Sequence, residues 1–467
     1  MVIMEFPTSL VHKYSKAAPR YTSYPTALHF HTGFDAAAWQ HELQASRNSG
    51  RDISLYAHIP FCDTLCYYCG CNMVATRDYS KAERYLEVLL QEMALVADTA
   101  SADRLVRQMH WGGGTPTYLR PEDLVKLHQA FARRFRMAED AEIGCEMDPR
   151  ELTRAHVEAL ASCGFNRLSL GVQDLDPQVQ EAINRIQSQE LIEQVYGWIR
   201  DAGINSINFD LIIGLPHQTP ERFAHTLDAV IAMAPDRLAV FNYAHVPWMK
   251  KHQRLIPESA LPALDQRLEL LRMTLDRLTA AGYVHIGMDH YAKPEDELVR
   301  AQQQGTLYRN FQGYTTHKNC DILALGASAI SQTENAYAQN TKVLSEYRDA
   351  VTAGRLPIER GLHVTPEDQL RRAAITQVMC DLQLDKRAFS SAWGIEFDDY
   401  FAASLPQMEE MEQDGLLQLH NECLRVTEAG RLFLRNIAML FDGRQMEAKS
   451  LSSDQVIQVQ PRYSNSI

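Results

Sequence analysis

Cys62, Cys66 and Cys69 follow one another with gaps of three and two residues, and a fourth cysteine, Cys71, comes two places later. Three thiolates this close on one loop can each bind one iron of a cubane [4Fe–4S] cluster, leaving the fourth iron without a protein ligand. Such an iron can hold a reactive molecule, so the loop suits a radical enzyme. A zinc site is the alternative. Zinc usually takes paired C-x2-C units, whereas no second pair follows here within finger distance. The other five cysteines, Cys145, Cys163, Cys320, Cys380 and Cys423, are scattered and read as small buried hydrophobes.

Further polar residues cluster nearby. His58, four residues before Cys62, could give a proton, sit beside a cluster, or be a satisfied strand-end histidine. Tyr56 shares its strand face by period-two alternation and could touch a ligand or pack in the core. Tyr68, just before Cys69, could stack on a flat ring or shield a cluster from water. Residues 110–117 read HWGGGTPT. Three glycines let backbone approach a ligand closely, although a tight turn uses the same residues. Glu146 opens the run Glu-Met-Asp-Pro-Arg and could orient a ligand, form a salt bridge or cap a helix.

These residues need elements to hold them. Strand-like runs cover 53–59, 107–111, 142–147, 167–171, 206–213, 237–243 and 284–288, and helical patterns lie between them at 81–97, 121–135, 154–162, 188–202, 220–233 and 264–281. This alternation predicts an α/β fold, a parallel sheet with helices outside, closed into a full or partial β/α barrel. Active-site residues then belong at the C-terminal strand ends, where the residues above fall. Prolines and tyrosines at 19–26 (PRYTSYPT) predict an extended arm, and a helix follows at 34–46. The stretch 305–340 is loop-rich, with no clear period. Helices at 366–382 and 397–415 and a hairpin at 416–426 predict a mostly helical, winged-helix-like C-terminal domain. The expected division is an arm (1–50), a barrel (51–300), a connecting region (301–360), the C-terminal domain (361–445) and a fraying tail (446–467).

The chain has 467 residues, of which 45% are hydrophobic, enough for a large core. A net charge of −13 argues against nucleic acid or an anionic membrane as a partner. No apolar run is long enough to span a bilayer, and the polar N-terminus does not read as a signal peptide, so a cytoplasmic location is expected.

The pattern C-x3-C-x-(aromatic)-C resembles the radical S-adenosylmethionine superfamily. The resemblance implies that Cys62, Cys66 and Cys69 ligate the cluster and that its open iron chelates S-adenosylmethionine. Reductive cleavage then gives methionine and a 5′-deoxyadenosyl radical, which abstracts hydrogen from a substrate. Cys71 as a fourth ligand would compete with S-adenosylmethionine, so it reads as a non-ligand neighbour. Gly113, Gly114 and Thr115 look like the loop that holds the methionyl amino group, and Glu146 like the acid that orients the bound molecule. Gln173 can read a ligand edge, Arg185 can take a carboxylate, and Asp210 can accept from ribose hydroxyls.

The similarity extends further. PRYTSYPTA, HIPFC-x3-CYYCGC, HWGGGTPT, LGVQD, NFDLIIGLP, VFNYAH, GMDHYA and RNFQGYTT together resemble the oxygen-independent coproporphyrinogen III oxidases, over about residues 12–440. The resemblance implies a partial (β/α) barrel of the radical SAM type and two S-adenosylmethionine molecules. The matching positions are Tyr68, where phenylalanine is expected, with Gly114, Ala244, Phe311, Gln312 and Ile330. It also implies oxidative decarboxylation of two propionates of coproporphyrinogen III, giving protoporphyrinogen IX, with a reductant such as flavodoxin or ferredoxin; a monomer is expected. A haem-binding chaperone on the same scaffold is the alternative, and the arm and Cys71 distinguish the two. A substrate with four carboxylates needs cations: Arg20 in the arm, Arg185, Arg309 and the basic stretch 245–254, whose Lys250 and Lys251 read as an ordinary solvated face. Tyr56, His58 and Arg20 are the candidate catalytic residues.

Overall fold

The computed structural model describes residues 8–16, 18–100 and 104–445. The first seven residues of the arm and the expected tail 446–467 lie outside these. The chain forms two compact units. The barrel unit comprises Phe30–Gly282 and Asn319–His363; the second unit takes the chain through His29, Tyr283–Lys318 and the chain from Val364 onward.

The barrel unit holds strands β1 (Asp52–Ile59), β2 (Leu105–Gly113), β3 (Arg136–Met147), β4 (Arg167–Gln173), β5 (Ser206–Ile213), β6 (Arg237–Asn242), β7 (Cys320–Leu325), β8 (Ile330–Gln332), β9 (Ala336–Asn340) and β10 (Ile358–His363). Seven are parallel, in the order β7-β1-β2-β3-β4-β5-β6, and β8, β9 and β10 extend the β7 side antiparallel. The crossovers from β1 to β6 are helical, as the alternation predicts: Ser80–Ala100, Pro121–Arg134, Arg154–Ser162, Gln189–Asp201 and Pro220–Met233. This is the expected partial β/α barrel.

Strand alternation sorts the two faces of the sheet. Ile53, Leu55, Ala57 and Ile59 on β1, Leu168, Leu170 and Val172 on β4, and Ile207, Phe209 and Leu211 on β5 are buried apolar side chains. The intervening residues put polar groups on the opposite face. There Ser54 donates to Gln108 (2.9 Å), Gln108 donates to Glu142 (2.8 Å), and Arg167 pairs with Glu142 and donates to Ser206 (3.1 Å each). One hydrogen-bonded rung thus links five adjacent strands below the strand ends that carry the site.

One expected strand plays a different part. Val284–Gly287 does form a strand, but it belongs to the second unit and pairs antiparallel with His290–Ala292, because the chain reverses at Met288, whose φ is +52°. The seventh parallel strand is β7 instead, in the stretch expected to be loop-rich. All six of its residues are buried. A strand covered on both faces shows no alternation, so periodicity could not reveal it.

Glu92 ties this late segment to the first crossover helix. The Glu92 carboxyl is buried and accepts from Gly326 N–H (2.7 Å), Asn340 Nδ2 (2.6 Å) and the Tyr347 hydroxyl (2.6 Å). Burial outweighs these three donors and pushes its pKa up to about 7, from an ordinary 4.5. Between those values the folded chain holds a proton that the unfolded chain has lost, so stability falls as pH rises through the window. Thermal melting of E92Q from pH 4.5 to 7.5 should show a flatter dependence than wild type.

In the second unit the arm begins with a helix, Thr8–Tyr14, that the sequence did not signal. The arm also has a structural role. The Tyr14 carbonyl accepts from Asn436 (2.9 Å), and the Tyr21 hydroxyl donates to Asp442 (2.9 Å). Helix Pro366–Asp381 is started by a reciprocal Thr365–Asp368 cap. The expected hairpin forms from Leu417–Leu419 and Cys423–Val426, with Gln383–Asp385 as its third strand. The helix expected at 397–415 is broken into Phe397–Tyr400, a 3₁₀ turn at Ala402–Ser404 and Leu405–Gln413, where Pro406 favours a fresh helix start.

Candidate active site

After β1 the chain enters the cysteine loop, closed by parallel pairing of Phe61–Cys62 with Val74–Ala75. The loop is then held through its own carbonyls. Asn184 Nδ2 donates to Leu65 (2.8 Å), Gln253 Nε2 to Tyr68 (2.8 Å), His252 Nε2 to Cys69 (2.7 Å) and Lys250 Nζ to Cys71 (2.8 Å). A carbonyl only accepts, so His252 carries a proton on Nε2. Lys250 is half-buried and holds a loop carbonyl, so its stretch braces the loop, whereas Lys251 is exposed as expected. Tyr68 packs on a cluster of Val179, Ile183, Ile212, Leu215 and Ile256. Gln253 also reaches the Ala244 carbonyl, at 3.3 Å.

The sulfurs differ in their surroundings. Cys66 is buried, and its Sγ accepts from Arg150 (3.3 Å) and Arg185 (3.6 Å). Both guanidiniums also hold Asp148, at 2.6 and 2.9 Å. Burial opposes charge on Asp148, but Arg185 and Arg150 prevail and hold its carboxyl well below the usual carboxylate range. Hydrogen bonding from Cys71 pulls the Cys69 thiol down to about 6 against burial, with His252 and Lys250 helping. Burial, with the charges of Cys69, Asp148 and Cys66, pushes the Cys62 thiol up. Cys62 is within electrostatic reach of Cys66, Cys69 and Cys71, and Cys71 is exposed.

The glycine run is shaped by crowding. A Cβ on Gly114 would meet the Phe61 carbonyl oxygen at 2.7 Å and Cys62 Sγ at 3.0 Å, and one on Gly112 would meet the Glu146 carboxyl at 2.9 Å. Gly113 adopts φ +122°, and its N–H donates to Glu146 at 3.3 Å. Thr115 supports the next strand end, its hydroxyl accepting from Asp148 N–H at 3.1 Å. His110 Nε2 lies 3.5 Å from Glu146. Burial would raise the Glu146 pKa, but His110 and Gly113 N–H outweigh it and keep the group ionised. Asp210 accepts from Ser169 and Asn208 (2.8 Å each), and burial pushes it up to about 7.

Tyr56 and His58 form a proton chain. His58 Nε2 lies 2.9 Å from the Asn72 carbonyl and must donate to it. Burial lowers the His58 pKa, so the ring is neutral, and Nδ1 accepts from the Tyr56 hydroxyl at 3.2 Å. The Tyr56 ring lies parallel to His110, with centroids 6.2 Å apart. Gln173 takes a left-handed φ of +63°, a strained conformation that clusters at functional sites. Arg185 donates to the Gly171 carbonyl (2.7 Å), and its buried Nε has no partner among the described residues. Ile330 opens β8, half-buried.

Arg20, Phe311 and Gln312 belong to the second unit. Arg20 pairs with Asp289. Gln312 N–H donates to Asn310 (2.8 Å), while both atoms of its side-chain amide are buried without a partner among the described residues.

A [4Fe–4S] cluster fits the loop on these observations. Three thiols share one braced loop, with Cys62 in electrostatic reach of the other two, and Gly114 leaves Cys62 Sγ uncrowded. Arg150 and Arg185 donate to Cys66 Sγ, and His252 and Lys250 help to lower the Cys69 thiol. Asp148, Arg150, His252 and Gln253 are parts of this site that sequence reasoning passed over. All four lie in runs it quoted, but nothing local says which carbonyl or sulfur they reach.

The model of the radical SAM superfamily matches residues 56–230, and that of the HemN C-terminal domain matches 364–433. A Pseudomonas aeruginosa protein named oxygen-independent coproporphyrinogen III oxidase is 46% identical over 441 residues, covering 94% of this chain and 96% of its own. The Escherichia coli K12 protein of the same name is 46% identical over 440 residues, covering 94% and 95%. The solved coproporphyrinogen III oxidase (HemN) from Escherichia coli, described as a radical SAM enzyme, superposes with a TM-score of 0.90 at 43% identity, covering 95% of this chain and 100% of that one. With that coverage and the cysteine loop at the predicted strand end, the chain belongs to the oxygen-independent coproporphyrinogen III oxidase family of radical SAM enzymes.

Proposed function

We propose that this chain converts coproporphyrinogen III to protoporphyrinogen IX by oxidative decarboxylation of two propionates, without oxygen, in haem synthesis. The observation that carries this reading is the braced three-thiolate loop, in a chain nearly co-extensive with relatives of that name. Bound at the loop, a reduced [4Fe–4S] cluster and S-adenosylmethionine supply the hydrogen-abstracting 5′-deoxyadenosyl radical.

The chain's own residues divide the remaining work. Cys62, Cys66 and Cys69 are the cluster ligands, and Cys71 is a neighbour. Gly113, Gly114 and Thr115 offer backbone to an amino acid end, beside the ionised Glu146. Gln173, Arg185 and Asp210 line the following strand ends and serve the same molecule. Tyr68, Ala244, Phe311, Gln312 and Ile330 serve the two S-adenosylmethionine molecules. Tyr56 holds its proton toward His58 Nδ1, a neutral relay that puts no charge near the radical. Arg20 meets the substrate's carboxylates, and the arm shields the radical from water. The partners are a flavodoxin- or ferredoxin-like reductant and no nucleic acid, and the chain works as a monomer in the cytoplasm. Among the described residues no helix is long and apolar enough to cross a membrane.

The test is an anaerobic assay of the reconstituted, reduced protein with S-adenosylmethionine and coproporphyrinogen III. It should yield 5′-deoxyadenosine and a two-vinyl product. Deoxyadenosine alone would point to another substrate, and tight haem binding with neither product to a chaperone. Deleting residues 1–30 should remove turnover of the porphyrinogen; unchanged turnover sinks the role of the arm.

A further inference from the structure

Three guanidiniums gather around one carboxylate in the second unit. Arg20 comes from the arm, Arg309 from the strand Tyr308–Asn310, Arg435 from the helix Leu434–Ala438, and Asp289 from the turn after Val284–Gly287. Arg20 pairs with Asp289, and Arg435 turns to backbone, donating to the Ala18 and Pro19 carbonyls. Burial, then the charge of Arg20, with Arg309 adding and Asp289 opposing, pulls Arg435 down to about 10. The cations therefore sit close enough to repel one another.

Among the described residues the other charged or titratable groups nearby are Arg431, His285 and Asp442, with Asp381 and Lys318 toward Cys380. Arg431 donates to the His285 carbonyl (2.7 Å) and has its own partner in Glu428 (3.2 Å). His285, pulled down to about 4 by burial, is neutral. Asp442 accepts from Tyr21.

Arg309 is the member with bonds to spare. It is 6% exposed, and its Nε and Nη1 have no acceptor among the described residues. Its guanidinium lies 4.8 Å from the Tyr314 ring centre, and the Tyr314 hydroxyl is tied to the Met379 carbonyl at 2.9 Å. A buried cation with unmet donors, beside two more cations and an Asp289 already paired with Arg20, needs an anion.

We propose that Arg309, with Arg20 and Arg435 around Asp289, is a carboxylate-binding site for a small-molecule ligand of this enzyme. Resting on the function proposed above, the carboxylate comes from one of two molecules: a propionate of the porphyrinogen or the methionyl carboxylate of an S-adenosylmethionine. Carboxylate and guanidinium make charge-assisted hydrogen bonds that an amide side chain cannot replace.

The test uses full-chain holoenzyme, R309Q and R309K, with coproporphyrinogen III varied at saturating S-adenosylmethionine and then the reverse. R309Q should raise KM for one of the two by about tenfold or more, with a smaller change in kcat and partial recovery in R309K. A shift for the porphyrinogen assigns a propionate; a shift for S-adenosylmethionine assigns its carboxylate. Equilibrium binding of coproporphyrin III and its tetramethyl ester reads the propionate arm without turnover, since only the free acid should bind R309Q more weakly than wild type. Unchanged KM for both molecules in R309Q, or in R309K should the glutamine variant not fold, overturns the site. A wild-type enzyme that does not convert coproporphyrinogen III overturns the proposed function instead; coproporphyrin binding then decides the propionate reading, and equilibrium binding of S-adenosylmethionine to wild type and R309Q decides the other.

Discussion

Alanine in place of Cys62, Cys66 or Cys69 should abolish the iron–sulfur absorption of the anaerobically reconstituted protein and all 5′-deoxyadenosine formation. C71A should keep both. The spacing C-x3-C-x2-C already sets three cysteines apart from the fourth. Cys66 Sγ faces two guanidiniums, and the Cys69 thiol is pulled down to about 6. The Cys69 sulfur is thereby prepared to be a thiolate, the form that binds iron. Cys71 supports the Cys69 thiol first through its side chain and then through its backbone. Its N–H donates to Cys69 Sγ at 3.4 Å, and its carbonyl accepts from Lys250. Alanine keeps both. The variant loses the side-chain hydrogen bond to Cys69, the largest influence lowering that thiol, and keeps the smaller ones from the backbone, His252 and Lys250. Iron and sulfide content together with the visible spectrum check the outcome, and a C71A protein without a cluster would refute the three-ligand reading.

D148N should destabilise the barrel unit by about 3–5 kcal/mol, the cost of breaking a buried ion pair from one side. The carboxylate, 13% exposed, is shared by Arg185 and Arg150, which are 6% and 14% exposed. An amide of the same shape would turn N–H groups toward two buried cations. Because the folded carboxyl lies well below its unfolded range, its contribution is complete above the unfolded pKa, near 4, and is lost as pH falls through the folded value. Wild type and D148N should therefore differ most at neutral pH and converge in acid. Urea titrations from pH 3 to 7 measure this; equal stability of the two at pH 7 would show that the triad contributes little. The same variant should loosen Arg150 and Arg185 from Cys66.

The parts of this protein that could be read without a structure share a property: their signals are local. A strand with one apolar face shows its period over six or seven residues, so β1, β4, β5 and β6 lie within a residue or two of where periodicity puts them. β3 starts six residues early because its first half, from Arg136, carries charged and exposed residues with no apolar alternation. β7, buried throughout, carries no alternation, and the chain reversal at Met288 is set by one left-handed residue. Helix starts were legible where a proline marks them, as at Pro121, Pro220 and Pro366, the last two with a capping threonine as well.

The sequence by itself determined the chemistry: three cysteines at cluster spacing, a glycine run and an acid at successive strand ends, and the family. These depend on residue types a few positions apart. Only the tertiary structure decided who supports them. Lys250, His252 and Gln253 reach the loop across 179 to 185 residues, Arg185 reaches Cys66 across 119, and Arg20 reaches Asp289 across 269. A lysine that braces a carbonyl and a lysine in solvent look the same in a sequence. So do an arginine that is paired and one, like Arg309, left with buried donors unmet. The partner of a charge is chosen by where the folded chain brings its strand ends and loops, and no short-range pattern records that choice.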